Sequence, residues 1–82
     1  MAVEKLILYG TSACHLCELA EALLVELQSG GLAFTLEKVD IADDDTLMER
    51  YGIVIPVVRR SNGSELGWPF DAQAVVHWLA AA

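Results

Sequence analysis

The chain has 82 residues, 55% of them hydrophobic and 21% charged; that length bounds it to one domain, residues 1–82, with a small core, and the apolar content excludes a disordered tail. Only 5 Lys and Arg stand against 12 Asp and Glu, for a net charge of −7, so a nucleic-acid partner is excluded for want of a cationic face. A basic patch on another protein is the favoured kind of partner.

The run "KLILY", Lys5 to Tyr9, is apolar and stopped by Gly10, which predicts a buried strand. Charged residues interrupt each apolar stretch long before the ~20 needed to span a bilayer. "MAVEK" leads into "LILYG" without a cleavage pattern, so no secretory leader is expected. The expectation is a cytoplasmic monomer without a membrane contact. Two cysteines are too few for a disulfide-stapled scaffold, and the cytoplasm keeps thiols reduced.

Thr11 and Ser12 are loop and cap types, and a helix is predicted to begin near Cys14. Leu16, Leu19, Ala20, Leu23, Leu24 and Leu27 follow the i, i+3, i+4 spacing of one apolar stripe. "SGG", Ser29 to Gly31, ends that helix. "LAFTLEKVDI" alternates in part and reads as a second strand. Asp43, Asp44 and Asp45 suit a helix N-terminus, where free N–H groups favour acids. They lack the alternating ligands and distal Glu of a calcium loop. A short helix runs to Tyr51 and stops at Gly52.

"IVIPVVRR" is β-branched around a proline, "SNGS" supplies an Asn62-Gly63 turn, and "ELGW" returns as a shorter strand. Arg59 and Arg60 must point to opposite sides of a strand, and are expected to be solubilising edge charges. Asp71 caps a last helix with a stripe of Ala72, Val75, Val76 and Leu79. Trp78 packs on its flank, and His77 lies off the stripe at the surface. The order is β-α-β-α-β-β-α. A βαβ unit is parallel and right-handed, and the hairpin adds antiparallel strands. The expected class is α/β: a mixed four-stranded sheet flanked by helices.

Cys14 and Cys17 therefore lie where a strand ends and a helix begins. The N–H groups and dipole of that helix end stabilise a negative charge. A Cys14 thiolate is favoured there, with a pKa below the ~8.5 of a free thiol. The thiolate is the nucleophile of disulfide exchange. Cys17, one turn further in, is placed to close a disulfide with Cys14 and to act as a shielded resolving thiol. The pair has two other readings at this level: half of a metal site, or two apolar residues that happen to be close. Between the cysteines, a protonated His15 would stabilise the thiolate, whereas an exposed one would have little influence; with Leu16 it forms the tuning dipeptide.

A Cys-x-x-Cys opening a helix inside a βαβ unit is a redox signal. With "RYGIVIPVV" at 50–58 and "SNGSELG" after it, the whole chain resembles the thioredoxin superfamily, and more closely a small glutaredoxin-like protein. The resemblance implies a thioredoxin-like fold in which Pro56 follows a cis peptide bond and lies against the two sulfurs. It implies that the backbone of Ile55 meets an incoming peptide or thiol. Thr11, Gly67, Trp68 and Asp71 are then further substrate-side positions. Classical glutaredoxins carry a Lys where this chain has Thr11, Thr-Val where it has Val54-Ile55, and Gly-Gly-x-Asp where it reads "LGWPFD". Losing the Lys removes an anchor for a carboxylate of glutathione, and Trp68 and Pro69 crowd the far end of that site. Asp71 caps a helix in either case.

The leading expectation is a dithiol–disulfide oxidoreductase cycling through Cys14 and Cys17, with no bound metal or organic cofactor. Its partner is a disulfide-containing protein or a low-molecular-weight thiol. Electrons come from glutathione, from a reductase or from another dithiol protein. Two alternatives stand beside it: a metal or iron–sulfur module using the cysteine pair, and a non-catalytic redox sensor or binding module on the same fold.

Overall fold

The computed structural model describes residues 4–81. The first three residues, part of the stretch read as leaderless, lie outside the described residues, as does the last. The chain forms β1 (Glu4–Gly10), α1 (His15–Ser29), β2 (Phe34–Asp40), α2 (Asp45–Tyr51), β3 (Val57–Arg60), β4 (Glu65–Gly67) and α3 (Ala72–Ala80). The sheet order is β2-β1-β3-β4. β1 runs parallel to β2, with Leu6 beside Leu36 and Gly10 beside Asp40. It runs antiparallel to β3, with Tyr9 opposite Val57, and β3 pairs antiparallel with β4. This is the expected mixed four-stranded sheet.

The alternation of β1 sorts the core into two clusters, because successive side chains leave opposite faces of a strand. Leu6 and Leu8 meet Ala20 and Leu24 of α1, Val75 of α3, and Phe34, Val58 and Phe70. Tyr9 on the other face meets Ile41, Tyr51 and Val57. Two helices thus cover one face, and the single short α2 covers the other. Tyr9 and Tyr51 stack with centroids 4.5 Å apart. Among the described residues, no helix is long and apolar enough to cross a membrane.

The caps follow the sequence. Asp44 accepts the Leu47 N–H at 3.1 Å and Asp71 the Ala74 N–H at 2.8 Å, each satisfying a donor that the helix leaves free. Gly63, at φ +89°, turns the hairpin, and Asn62 accepts the Ser64 N–H within it.

Four expectations are corrected. The buried stripe of α1 is Cys17, Ala20 and Leu24; Leu16 and Leu19 are exposed, because the pair of cysteines sets which side of the first turn faces the sheet. Val76 of α3 is likewise exposed. The third strand begins only at Val57, since the N–H groups of Val54 and Ile55 return to the Tyr51 carbonyl. A short 3-10 turn, Ile41–Asp43, follows β2, with Asp40 accepting the Ala42 N–H.

The fourth correction concerns the two arginines. β3 is an inner strand, so neither is an edge charge. Arg60 faces α3, with its side chain only 12% exposed and paired to Glu4 at 2.8 Å. It also donates to the Trp78 and Ala81 carbonyls and lies over the Trp78 ring. It therefore fastens the C-terminal end of α3 to β1, where free carbonyls favour a cation. Arg59, opposite Ile7 of β1, faces the other way, with its guanidinium beside Gly63 of the hairpin turn.

Candidate active site

β1 delivers the chain to the site and stops at Gly10, whose Cα lies against Cys17. A Cβ built on Gly10 would meet the Cys17 Sγ at 2.8 Å, closer than real side chains approach, so glycine is required there for space. The loop then returns on itself: the Cys14 N–H donates to the Thr11 carbonyl at 3.3 Å. Cys14 has extended backbone and is the N-cap of α1. Its Sγ accepts the Cys17 N–H at 3.1 Å, so sulfur fills the position a Ser or Asp oxygen holds at most caps.

Cys14 and Cys17 form a disulfide, with Cα atoms 5.2 Å apart. The two sulfurs are unequal. Cys17 is 7% exposed, covered by Gly10, while Cys14 is half-buried at the helix entrance. His15 points outward, its Nδ1 3.4 Å from Glu18 Oε2. Leu16 is 45% exposed.

The register brings the second loop to the same place. Pro56 immediately precedes Val57, whose pairing with Tyr9 ends the β1–β3 register. It is fully buried, and the Ile55–Pro56 bond is cis. Ile55 is half-buried, its N–H engaged by Tyr51. Ile53, two residues earlier, is 99% exposed. Val57 lies opposite Gly67, and the Trp68 N–H donates to the Pro56 carbonyl at 3.1 Å. Trp68 is half-buried and turns inward against the core, edge-on to Phe70. The Trp68–Pro69 bond is also cis. Asp71 spends a carboxylate oxygen on its cap.

Gly10, which sequence reasoning passed over except as a strand end, thus packs directly against Cys17. A glycine closing a strand just ahead of the cysteine pair was the available signal. Nothing in the sequence signals the cleft of about 330 Å³ between α1 and β2. Gly10, Thr11, Cys17, Glu21, Lys38 and Asp40 are among its lining residues, and Lys38 pairs across it with Glu21 at 3.1 Å. Among the described residues, no three His, Cys, Asp or Glu side chains converge on a common metal position.

A cysteine pair that opens a helix and closes a disulfide, on a mixed four-stranded sheet with a cis-proline just ahead of its third strand, defines the thiol–disulfide class of proteins on the thioredoxin-like fold. The chain belongs to the glutaredoxin-like domain family (DUF836), which matches residues 5–80. Protein XcR50 from X. campestris is similar in crystal structure: TM-score 0.82, 42% identity, with 94% of this chain and 97% of that chain covered. Protein Ne2328 from Nitrosomonas europaea, in solution, gives TM-score 0.79 and 31% identity, with coverages of 95% and 93%. Oxidised thioredoxin O2 from Arabidopsis thaliana shares the fold at TM-score 0.64 and 20% identity, over 94% of this chain and 72% of that chain. No curated protein matches the chain.

Proposed function

We propose that this protein is a small dithiol–disulfide oxidoreductase that cycles between Cys14/Cys17 thiols and the intramolecular disulfide. The observation that carries this reading is the inequality of the two sulfurs on one helix end. The Cys14 sulfur sits where the Cys17 N–H and the helix dipole favour a thiolate. Cys17, behind it and shielded, is placed for the second step rather than the first.

In the reductive direction, the Cys14 thiolate attacks one sulfur of a partner disulfide. The partner's S–S bond breaks, its other sulfur leaves as a thiolate, and a mixed disulfide with Cys14 forms. Cys17, losing its proton to solvent, then attacks the Cys14 sulfur and displaces the second partner thiolate. The partner gains two electrons and the protein ends as the disulfide. Ile53 and Val54, exposed in the loop before the buried Pro56, form the wall against which that partner lies. The reaction asks for no metal or organic cofactor. Glutathione and a dithiol reductase are the two kinds of electron donor to compare, and a cytoplasmic location suits a cycle that begins from thiols.

The test is the intact mass of the protein, alkylated rapidly across a series of glutathione redox buffers. One reversible transition involving both thiols is expected, with native mass spectra free of metal. If no disulfide forms at any poise, or if metal accompanies the chain, the proposal fails.

A further inference from the structure

We infer, on the reading of Cys14 as an exchanging thiol, that the disulfide end of the molecule selects partners carrying positive charge beside their sulfur and disfavours carboxylate-bearing ones. Topology puts the carboxylates at that end. β1 and β2 run parallel and finish together at Gly10 and Asp40, and the 3-10 turn after β2 adds Asp43, ahead of Asp44 and Asp45 at the start of α2. Glu18 stands one turn from Cys14, its N–H on the Cys14 carbonyl at 3.2 Å. Asp71 opens α3 just after the Trp68 loop that touches Pro56.

The cations do not offset them. Four of the chain's 5 Lys and Arg are paired with a carboxylate. Lys5 pairs with Glu37 at 3.2 Å and Arg60 with Glu4 at 2.8 Å, both toward the far end of β1. Arg50 faces Glu65 at 3.7 Å, and Arg59, the fifth, has its guanidinium beside Gly63 of the hairpin turn, away from the Tyr9–Val57 end of the sheet. Lys38 lines the cleft at Cys17 but is held by Glu21. At the disulfide end an approaching carboxylate thus meets no uncommitted Lys or Arg, whereas an ammonium or guanidinium meets several carboxylates.

A second observation points to a partner surface. Leu16, Ile53 and Val54 are large apolar residues, and each is exposed. Leu16 lies between the two cysteines in sequence, and the other two lie in the loop that ends at Pro56. Leu16 offers apolar contact next to the cysteines, and Ile53 and Val54 offer it on the loop before Pro56. A basic protein with an apolar segment next to its disulfide fits both features. Glutathione, with two carboxylates and one ammonium, fits neither. Steering of this kind changes association rates by one to several orders of magnitude and is screened by salt.

The test uses the reduced protein and three small disulfides: cystamine with two ammonium groups, uncharged hydroxyethyl disulfide, and dithiodipropionate with two carboxylates. Each rate is divided by the rate with dithiothreitol, which removes intrinsic reactivity. The expected order is cystamine, then hydroxyethyl disulfide, then dithiodipropionate, with the ends about tenfold apart or more at low salt. The gap closes between about 10 mM and about 1 M salt, as the Debye length falls from ~30 Å to ~3 Å. Glu18→Gln and Glu26→Gln change net charge equally, so they separate local from global charge. The first is expected to narrow the gap at least about twofold and the second to leave it. A flat or reversed order overturns the inference, and so does equal narrowing by both variants. Brisk reaction with the uncharged disulfide but no charge order sinks this inference alone. No reaction with any of the three sinks the oxidoreductase reading as well.

Discussion

Gly10 and Cys17 are packed so closely that a single methyl group separates function from clash: a Cβ at Gly10 would stand 2.8 Å from the Cys17 Sγ and 3.0 Å from its Cβ. Cys17 lies in the buried stripe of α1, so the obstruction is not the far end of a flexible side chain. Gly10→Ala is expected to cost about 1–3 kcal/mol, the usual range for overpacking a tight site. Denaturant unfolding of the oxidised protein checks this. A variant as stable as the parent would show that the strand and helix can separate freely there.

The unequal exposure of the two sulfurs predicts unequal chemistry. In Cys17→Ser, the remaining Cys14 is expected to alkylate rapidly, with a midpoint pH below the ~8.5 of a free thiol. In Cys14→Ser, the buried Cys17 reacts slowly at the same pH. Stopped-flow alkylation with iodoacetamide between pH 5 and pH 10 measures both. Faster reaction at Cys17 would reverse the assignment of attacking and resolving thiols.

Asp71 tests whether a residue at the site is there for chemistry or for its cap. Asp71→Ala removes the acceptor of the Ala74 N–H and is expected to cost about 1 kcal/mol. Asp71→Ser restores an acceptor without the charge and recovers most of that stability. If Asp71 also contacts a cationic partner, the KM for cystamine rises in both variants while stability diverges. Equal KM values would leave the cap as its whole role.

Arg60 is expected to matter more than a surface charge. Its guanidinium serves Glu4, two carbonyls of the last turn and the face of Trp78. Arg60→Ala should lower stability by about 2–3 kcal/mol, since hydrogen bonds to charged groups exceed neutral ones. Arg60→Lys should recover less than half, because one ammonium cannot reproduce the fork. On the other side of the pair, Ser61 and then Arg60 hold the Glu4 carboxyl below its ordinary 4.5. A depressed folded pKa contributes stability above the unfolded value and loses it as pH falls through the folded one. The parent is therefore expected to lose stability below about pH 4.5 more steeply than Glu4→Gln. Parallel acid limbs in urea midpoints would remove Glu4 from the account.

Tyr51 supplies the opposite limb. Burial, then its hydrogen bond to Glu65, push its hydroxyl above the ordinary 10.0. A raised folded pKa gives stability that is whole below the unfolded value and lost as pH rises through the folded one. Stability is expected to fall above about pH 10, and Tyr51→Phe should flatten that limb. Melting curves from pH 8 upward decide it. An unchanged slope would assign the alkaline loss to other groups.

The chain order of strands and helices was legible because the signals are short-ranged. Gly10 and the "SNGS" stretch break the chain, Asp44 and Asp71 cap helices, and the leucines of α1 repeat at helical spacing. The placement of Cys14 and Cys17 at a helix opening follows from the same local rules. The helical repeat could not say which leucines face the sheet, and Leu16 and Leu19 proved exposed. Both fit the spacing, and only docking the first turn against Gly10 put Cys17 on the buried side with the expected Ala20 and Leu24.

By itself, the sequence determined what a few neighbouring residues can settle: element types, caps, the turn at Asn62-Gly63 and a cysteine pair at a helix N-terminus. Only the tertiary structure decided which distant residues meet. It set Gly10 against Cys17, Arg60 against Trp78, Tyr9 on Tyr51 and Lys38 across from Glu21. Helical and turn preferences act within one turn of chain. Strand register and face-to-face packing join residues tens of positions apart, and are chosen by which arrangement buries the whole apolar set at once.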